Sequence, residues 1–206
     1  MGLYRTPTLL PMLNLDEIRK EHVTYIDSFE EEVNQVYFSL VLPNWLGKLH
    51  GFPQTLYGYM MGLFSRIDLL SAYWKGDASS SGQTARMIDF MDNYISPDHE
   101  ANSLSVQMWR HKLMHTSQPR YLFDERIGKT YKWLLHWGEH LPPDQHYRFT
   151  ETGDSRILAL GLIYLIDDIR RGNEKYITDL AASPLMQSNY EKVQIEISNY
   201  RFRSYP

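Results

Sequence analysis

The densest chemistry in this chain lies in six residues, Arg110-His111-Lys112-Leu113-Met114-His115, which run straight into Thr116-Ser117-Gln118-Pro119. An imidazole gains and loses a proton near neutral pH, so His115 suits general acid or base work. A guanidinium offers paired donors to phosphoryl oxygens as charge builds on them. Neither role needs a metal or any other cofactor. Five residues of α-helix are roughly 500° of rotation, so Arg110 and His115 do not share a face cleanly. They converge if His115 sits where the helix frays, and Pro119 predicts a helix end close by. Arginine and histidine near a helix C-terminus are also favoured by the dipole alone, with no catalysis.

Other residue pairs compete for attention. His111 and His115 are four apart, a spacing that suits a metal. Lys112 stands where the zincin pattern needs glutamate, and a cation there opposes a metal. Glu139 and His140 lie downstream, with no third ligand nearby, so no metal is expected. Asp68 is the best candidate for a buried acid that could hold Arg110 or His115; it reads equally well as a solvent-facing partner of Arg66. Lys112 can add a phosphate contact. Asp167-Asp168 and Arg170-Arg171 read as a solvated helix terminus. Trp133, Trp137, Tyr147 and Phe149 could stack bases or simply pack a sheet. There is no Gly-rich phosphate loop, no Gly-x-Ser-x-Gly elbow and no dinucleotide fingerprint.

The elements that must position these groups are mostly helical. Residues 1–14 read as an extended lead-in broken by Pro7 and Pro11. Asn14 can cap a helix from Leu15 whose apolar stripe runs through Val23, Ile26, Phe29, Val33, Val36, Tyr37 and Leu40, with Pro43 ending it. Gln54 to Trp74 is apolar around much of its surface, as a central bundle helix must be. Shorter helices are expected over Thr84–Ile95 and Glu100–His115. Beyond that, Thr130–Trp137 and His146–Thr150 alternate and flank Pro142-Pro143-Asp144, which predicts a β-hairpin between them. Asp154 or Ser155 could cap a helix from Arg156 to about Arg171, stopped at Gly172. A short helix over Glu174–Ala182 ends before Pro184, and Glu191–Tyr205 alternates enough for a strand or extended arm.

The totals set the frame. The chain has 206 residues, 43% hydrophobic and 14% aromatic, enough for one packed domain or one domain with an added subdomain. A net charge of -4 gives no global field to hold nucleic acid, so an RNA site must be a local basic cleft. The absence of cysteine excludes disulfides, thiolate catalysis and Cys-ligated zinc or iron-sulfur sites. The first residues lack a signal-peptide apolar core, and the most apolar stretch, Ile157–Ile166, is too short to span a bilayer. A cytoplasmic protein with no membrane partner is therefore expected.

Arginine, a polar neighbour and a histidine five positions on resemble the Arg-x4-His pattern of the HEPN superfamily (higher eukaryotes and prokaryotes nucleotide-binding domain). The string Met108-Trp109-Arg110-His111-Lys112-Leu113-Met114-His115-Thr116 is similar to HEPN sequences around that motif. So is its place near the end of a helix in a helical bundle whose long helix holds Ser65-Arg66-Ile67-Asp68-Leu69-Leu70. The resemblance implies a mainly α fold, a HEPN-like helical domain over 15–127. Residues 128–206 would then form an extension packed on the same domain, with a β-hairpin and a further helix. It implies a metal-independent endoribonuclease acting as a homodimer, in a stress, defence or toxin setting that admits an antitoxin partner. Arg110 would stabilise the phosphate, His115 would act as acid or base and His111 would orient them. Some relatives are scaffolds, so a non-catalytic nucleotide-, RNA- or protein-binding module, or a plain structural dimer, remains the alternative.

Overall fold

A computed structural model describes residues 13–41, 54–112, 121–137 and 141–198, and for a few of these at segment ends the backbone alone. The architecture is mainly α with one small sheet, as the composition and periodicity anticipate. Helix α1 spans Leu15–Val36 and starts where Asn14 accepts the Glu17 N–H at 3.2 Å. It continues into a π-helical turn, Tyr37–Val41. Helix α2, Gln54–Lys75, is the central helix: Leu56, Met60, Leu63, Phe64, Ile67 and Leu70 are all fully buried along it. Helix α3, Gln83–Tyr94, and the short α4, His99–Ser105, follow, α4 capped by Asp98 on the Ala101 N–H.

The sheet departs from the expected hairpin. Its strands are β1 Leu122–Asp124, β2 Lys129–His136, β3 Arg148–Thr152 and β4 Ser155–Gly161, in the order β1-β2-β4-β3. The expected partners β2 and β3 do not pair. β4 lies between them, parallel to β2 and antiparallel to β3. The physical reason is the turn. Gly153-Asp154 is a two-residue hairpin loop with Gly153 at φ 56, so Asp154 and Ser155 close a hairpin and cap no helix. The run Arg156–Gly161 is then a strand buried at Leu158 and Leu160, and apolar runs bounded by turn residues read alike as strand or helix.

Helix α5, Leu162–Ala182, passes unbroken through Gly172, where a stop was expected. Gly172 is there because the helix crosses α3 too closely for a side chain: an added Cβ would overlap the Tyr94 carbonyl oxygen. Pro184 opens helix α6, Pro184–Ser198, because proline is well placed in a first turn, and Ser183 caps it by accepting the Met186 N–H at 3.3 Å. Residues 191–198 therefore belong to a helix, not to a strand or arm, because Tyr190 and Val193 turn into the core.

One hydrophobic core joins all of this. α5 and α6 bury Leu165, Ile166, Ile169, Tyr176, Leu180, Tyr190 and Val193 in the same cluster as α1 to α4 and the inner face of the sheet. The expected boundary at 127/128 falls inside the β1–β2 hairpin, and the last two helices complete the bundle. Among the described residues, no helix is long and apolar enough to cross a membrane.

Candidate functional site

The chain that carries the motif leaves α4 as a π-helix, Val106–Lys112, so the backbone of Arg110, His111 and Lys112 belongs to that turn. Their side chains, and all of His115, lie outside the described residues, as do Glu139 and His140. In a π turn the backbone hydrogen bonds join residues five apart, one more than in an α-helix. Positions five apart are thus brought nearer to one face than α geometry allows. Such turns are rare and recur at functional sites.

Packing holds this turn from both sides. Val106, Met108 and Trp109 are fully buried. The Trp109 ring, next to Arg110, sits 6.0 Å from Tyr57 of α2 and 6.2 Å from Trp133 of β2, edge-on to the latter. Ahead of the turn, Ser105 receives the Tyr147 hydroxyl at 3.2 Å. Tyr147 adopts φ 60, a left-handed conformation that costs on the order of 1 kcal/mol or more for a non-glycine residue. Its N–H bonds to the Ala159 carbonyl at 2.8 Å, and its buried phenol is pushed well above the ordinary range by desolvation. The sheet therefore anchors the start of the π turn at Ser105 and its middle at Trp109.

The aromatic candidates for base stacking are committed to packing. Trp133 lies against Trp109. Trp137 is buried between Tyr37 and Tyr59, at 5.7 and 6.2 Å. Phe149 is half-buried against Tyr131, with the Arg156 guanidinium 4.4 Å above its ring. Asp68 accepts from Gln83 and from Arg86, the latter at 3.4 Å, so its described contacts tie α2 to α3. Asp168, read as part of a solvated terminus, is mostly buried: it binds His146 Nε2 at 2.9 Å and Arg171. His146 Nδ1 accepts the Gly161 N–H at 3.0 Å, so both ring nitrogens are engaged and this pair braces β4 against α5.

Sequence reasoning passed over a second polar group, inside the bundle. His22 of α1 is fully buried, and its Nδ1 donates to the Asn173 Oδ1 of α5 at 2.7 Å. Burial, and then the nearby charge of Arg66, push its imidazole down to about 4, so it is neutral at pH 7. Arg66 of α2 is 6% exposed and lies 4.6 Å over the Tyr25 ring. The signal was present: His22 is four residues from both Ile18 and Ile26, on the buried face of α1.

No family model matches this chain, and no curated protein or solved structure matches it either.

Proposed function

We propose that the chain is a HEPN-like, metal-independent endoribonuclease that works as a homodimer. Arg110 holds the scissile phosphate, with Lys112 adding a contact and His111 orienting the pair. The RNA 2′-oxygen attacks phosphorus, the P–O5′ bond breaks, and a 2′,3′-cyclic phosphate and a 5′-hydroxyl result. His115 takes the 2′-hydroxyl proton or returns one to the 5′-oxygen; two motifs facing one cleft supply both roles. The observation that supports this reading is the π turn under Arg110. Its hydrogen bonds join residues five apart, the spacing of the Arg-x4-His motif, and within Val106–Lys112 they bring such positions nearer to one face than an α-helix would.

The test is RNA cleavage in EDTA by the wild type, Arg110→Ala and His115→Ala, at matched folding and oligomeric state. Cleavage that leaves cyclic phosphate ends and falls at least about 100-fold in both variants supports the reading, since proton transfer and oxyanion contacts are each worth that much. Cleavage that survives both substitutions removes the motif from the mechanism. A clean wild-type dimer that cleaves none of a varied RNA set favours a non-catalytic module that binds nucleotide, RNA or a protein such as an antitoxin.

A further inference from the structure

Two arginines are buried to the same 6%, and they are served very differently. Arg86 reaches the Asp68 carboxylate, the Ser71 hydroxyl and the Ser79 carbonyl. The half-buried Arg156 and Arg170 likewise each hold two or more carboxylates. Arg66 has none. Its Nε and Nη2 are buried and lack a hydrogen-bond partner among the described residues. Leaving charged donors dry and unpaired is among the costlier arrangements a core can hold. A buried polar group in that state signals an unseen ligand, ion or water.

The groups around it define what would fit. With Nδ1 donating to Asn173, His22 presents a bare Nε2 acceptor, and this atom too is buried and unpartnered. Tyr73 and Tyr190 stack with ring centroids 4.3 Å apart, and the Tyr190 ring lies 6.4 Å from that of His22. Arg66 and these tyrosines are close enough to influence one another electrostatically. Two guanidinium donors call for anionic oxygens, and a neighbouring bare acceptor calls for a hydroxyl. We propose that Arg66 and His22 form a buried oxyanion site between α1, α2 and α6, built for a phosphate group that still carries a proton, free or at the end of a small molecule. The Tyr25 ring, 38% exposed over the guanidinium, stands on its solvent side. The site is independent of the motif at Arg110.

The experiment is calorimetric titration of the full-length protein with inorganic phosphate at pH 7, paired with thermal unfolding in phosphate-free buffer. One phosphate per chain should bind and raise the melting temperature with concentration, as mass action requires. Glycerol phosphate in a second arm tells a free phosphate site from a phosphomonoester site by which ligand binds tighter. Sulfate, with no proton for His22, should bind about tenfold more weakly. Arg66→Met should abolish binding while the chain stays folded, since an apolar side chain of similar length suits the core. Arg66→Lys, which keeps the charge but loses the fork, should weaken it, and Arg110→Ala should leave it unchanged. A wild type with neither heat nor thermal shift overturns the proposal, because water alone then serves these groups. So does binding that persists in Arg66→Met or vanishes in Arg110→Ala. Sulfate binding as tightly as phosphate removes His22 from the site.

Discussion

His22 is a histidine that folding keeps neutral. Its folded value sits near 4, against 6.5 when unfolded, because burial and the Arg66 charge both oppose the imidazolium. Between those values the unfolded chain binds a proton that the folded chain refuses. Stability is therefore undiminished above about pH 6.5 and falls as pH drops toward 4, by up to roughly 3 kcal/mol from this group. Urea midpoints from pH 7 to pH 4.5 in phosphate-free buffer should fall more steeply for the wild type than for His22→Gln, which keeps a partner for Asn173. Parallel curves would mean that the buried ring titrates as a free one. Reading the sequence by hydrophobic periodicity placed Ile26 and Val33 correctly but ran the stripe through Val23, which is only half-buried. The true face reads Ile18, His22, Ile26, Val33 and Tyr37, and a polar residue in the middle breaks the pattern being sought. The same blindness hid Arg66 and Asn173, each flanked closely in sequence by fully buried residues. The spacing from Arg110 to His115 is a property of the sequence alone, whereas these groups declare themselves only once three helices meet.

Helices were easier to read than strands because amphipathic stripes are local and strand pairing is not. Asn14 and the apolar run of α2 mark their elements without tertiary information. The sheet needed the knowledge that β4 inserts between β2 and β3, a pairing across a long loop that no alternation pattern encodes. Gly172 shows the limit most sharply. As punctuation it ends a helix; in the fold it is the contact point of α5 with α3. Gly172→Ala raises intrinsic helix propensity by about 1 kcal/mol, so local reasoning predicts a more stable protein. The packing predicts the reverse. A Cβ there meets the Tyr94 carbonyl and the Ile95 side chain, and backbone cannot rotate away as a side chain end can. The two helices must separate along a buried seam, at a cost of about 1–3 kcal/mol beyond the propensity gain. Thermal unfolding decides it: Gly172→Ala should melt several degrees below wild type, and a higher melting temperature would mean that α5 and α3 are not in close contact.

At the scale of the molecule, the 15–127 bundle and the 128–206 extension packed on it share one hydrophobic core among the described residues, so the line between them is no physical partition. Asn173 accepts from the His22 Nδ1, Tyr176 packs edge-on against Phe90 and Tyr94, and Tyr190 stacks on Tyr73, so the late helices finish contacts that the early ones begin. Arg170 closes the outside by holding Asp27 and Glu30 of α1. Leu165, Ile166, Ile169, Tyr176, Ile177 and Leu180 are each at most 1% exposed. At about 1.5–3 kcal/mol per large apolar side chain, their loss alone approaches or exceeds the roughly 5–15 kcal/mol that holds an average domain together. The motif depends on the same partition, because Trp133 and Tyr147, which brace the π turn, lie beyond residue 127. Expressed alone, residues 1–127 should retain some helix by circular dichroism, bind a hydrophobic dye and melt without a cooperative transition, while the full chain melts in one step. A sharp transition in the short chain would restore the boundary that the sequence suggested. It would also mean that the π turn can form without the sheet, and that the bracing by Trp133 and Tyr147 follows from the turn's shape and does not cause it.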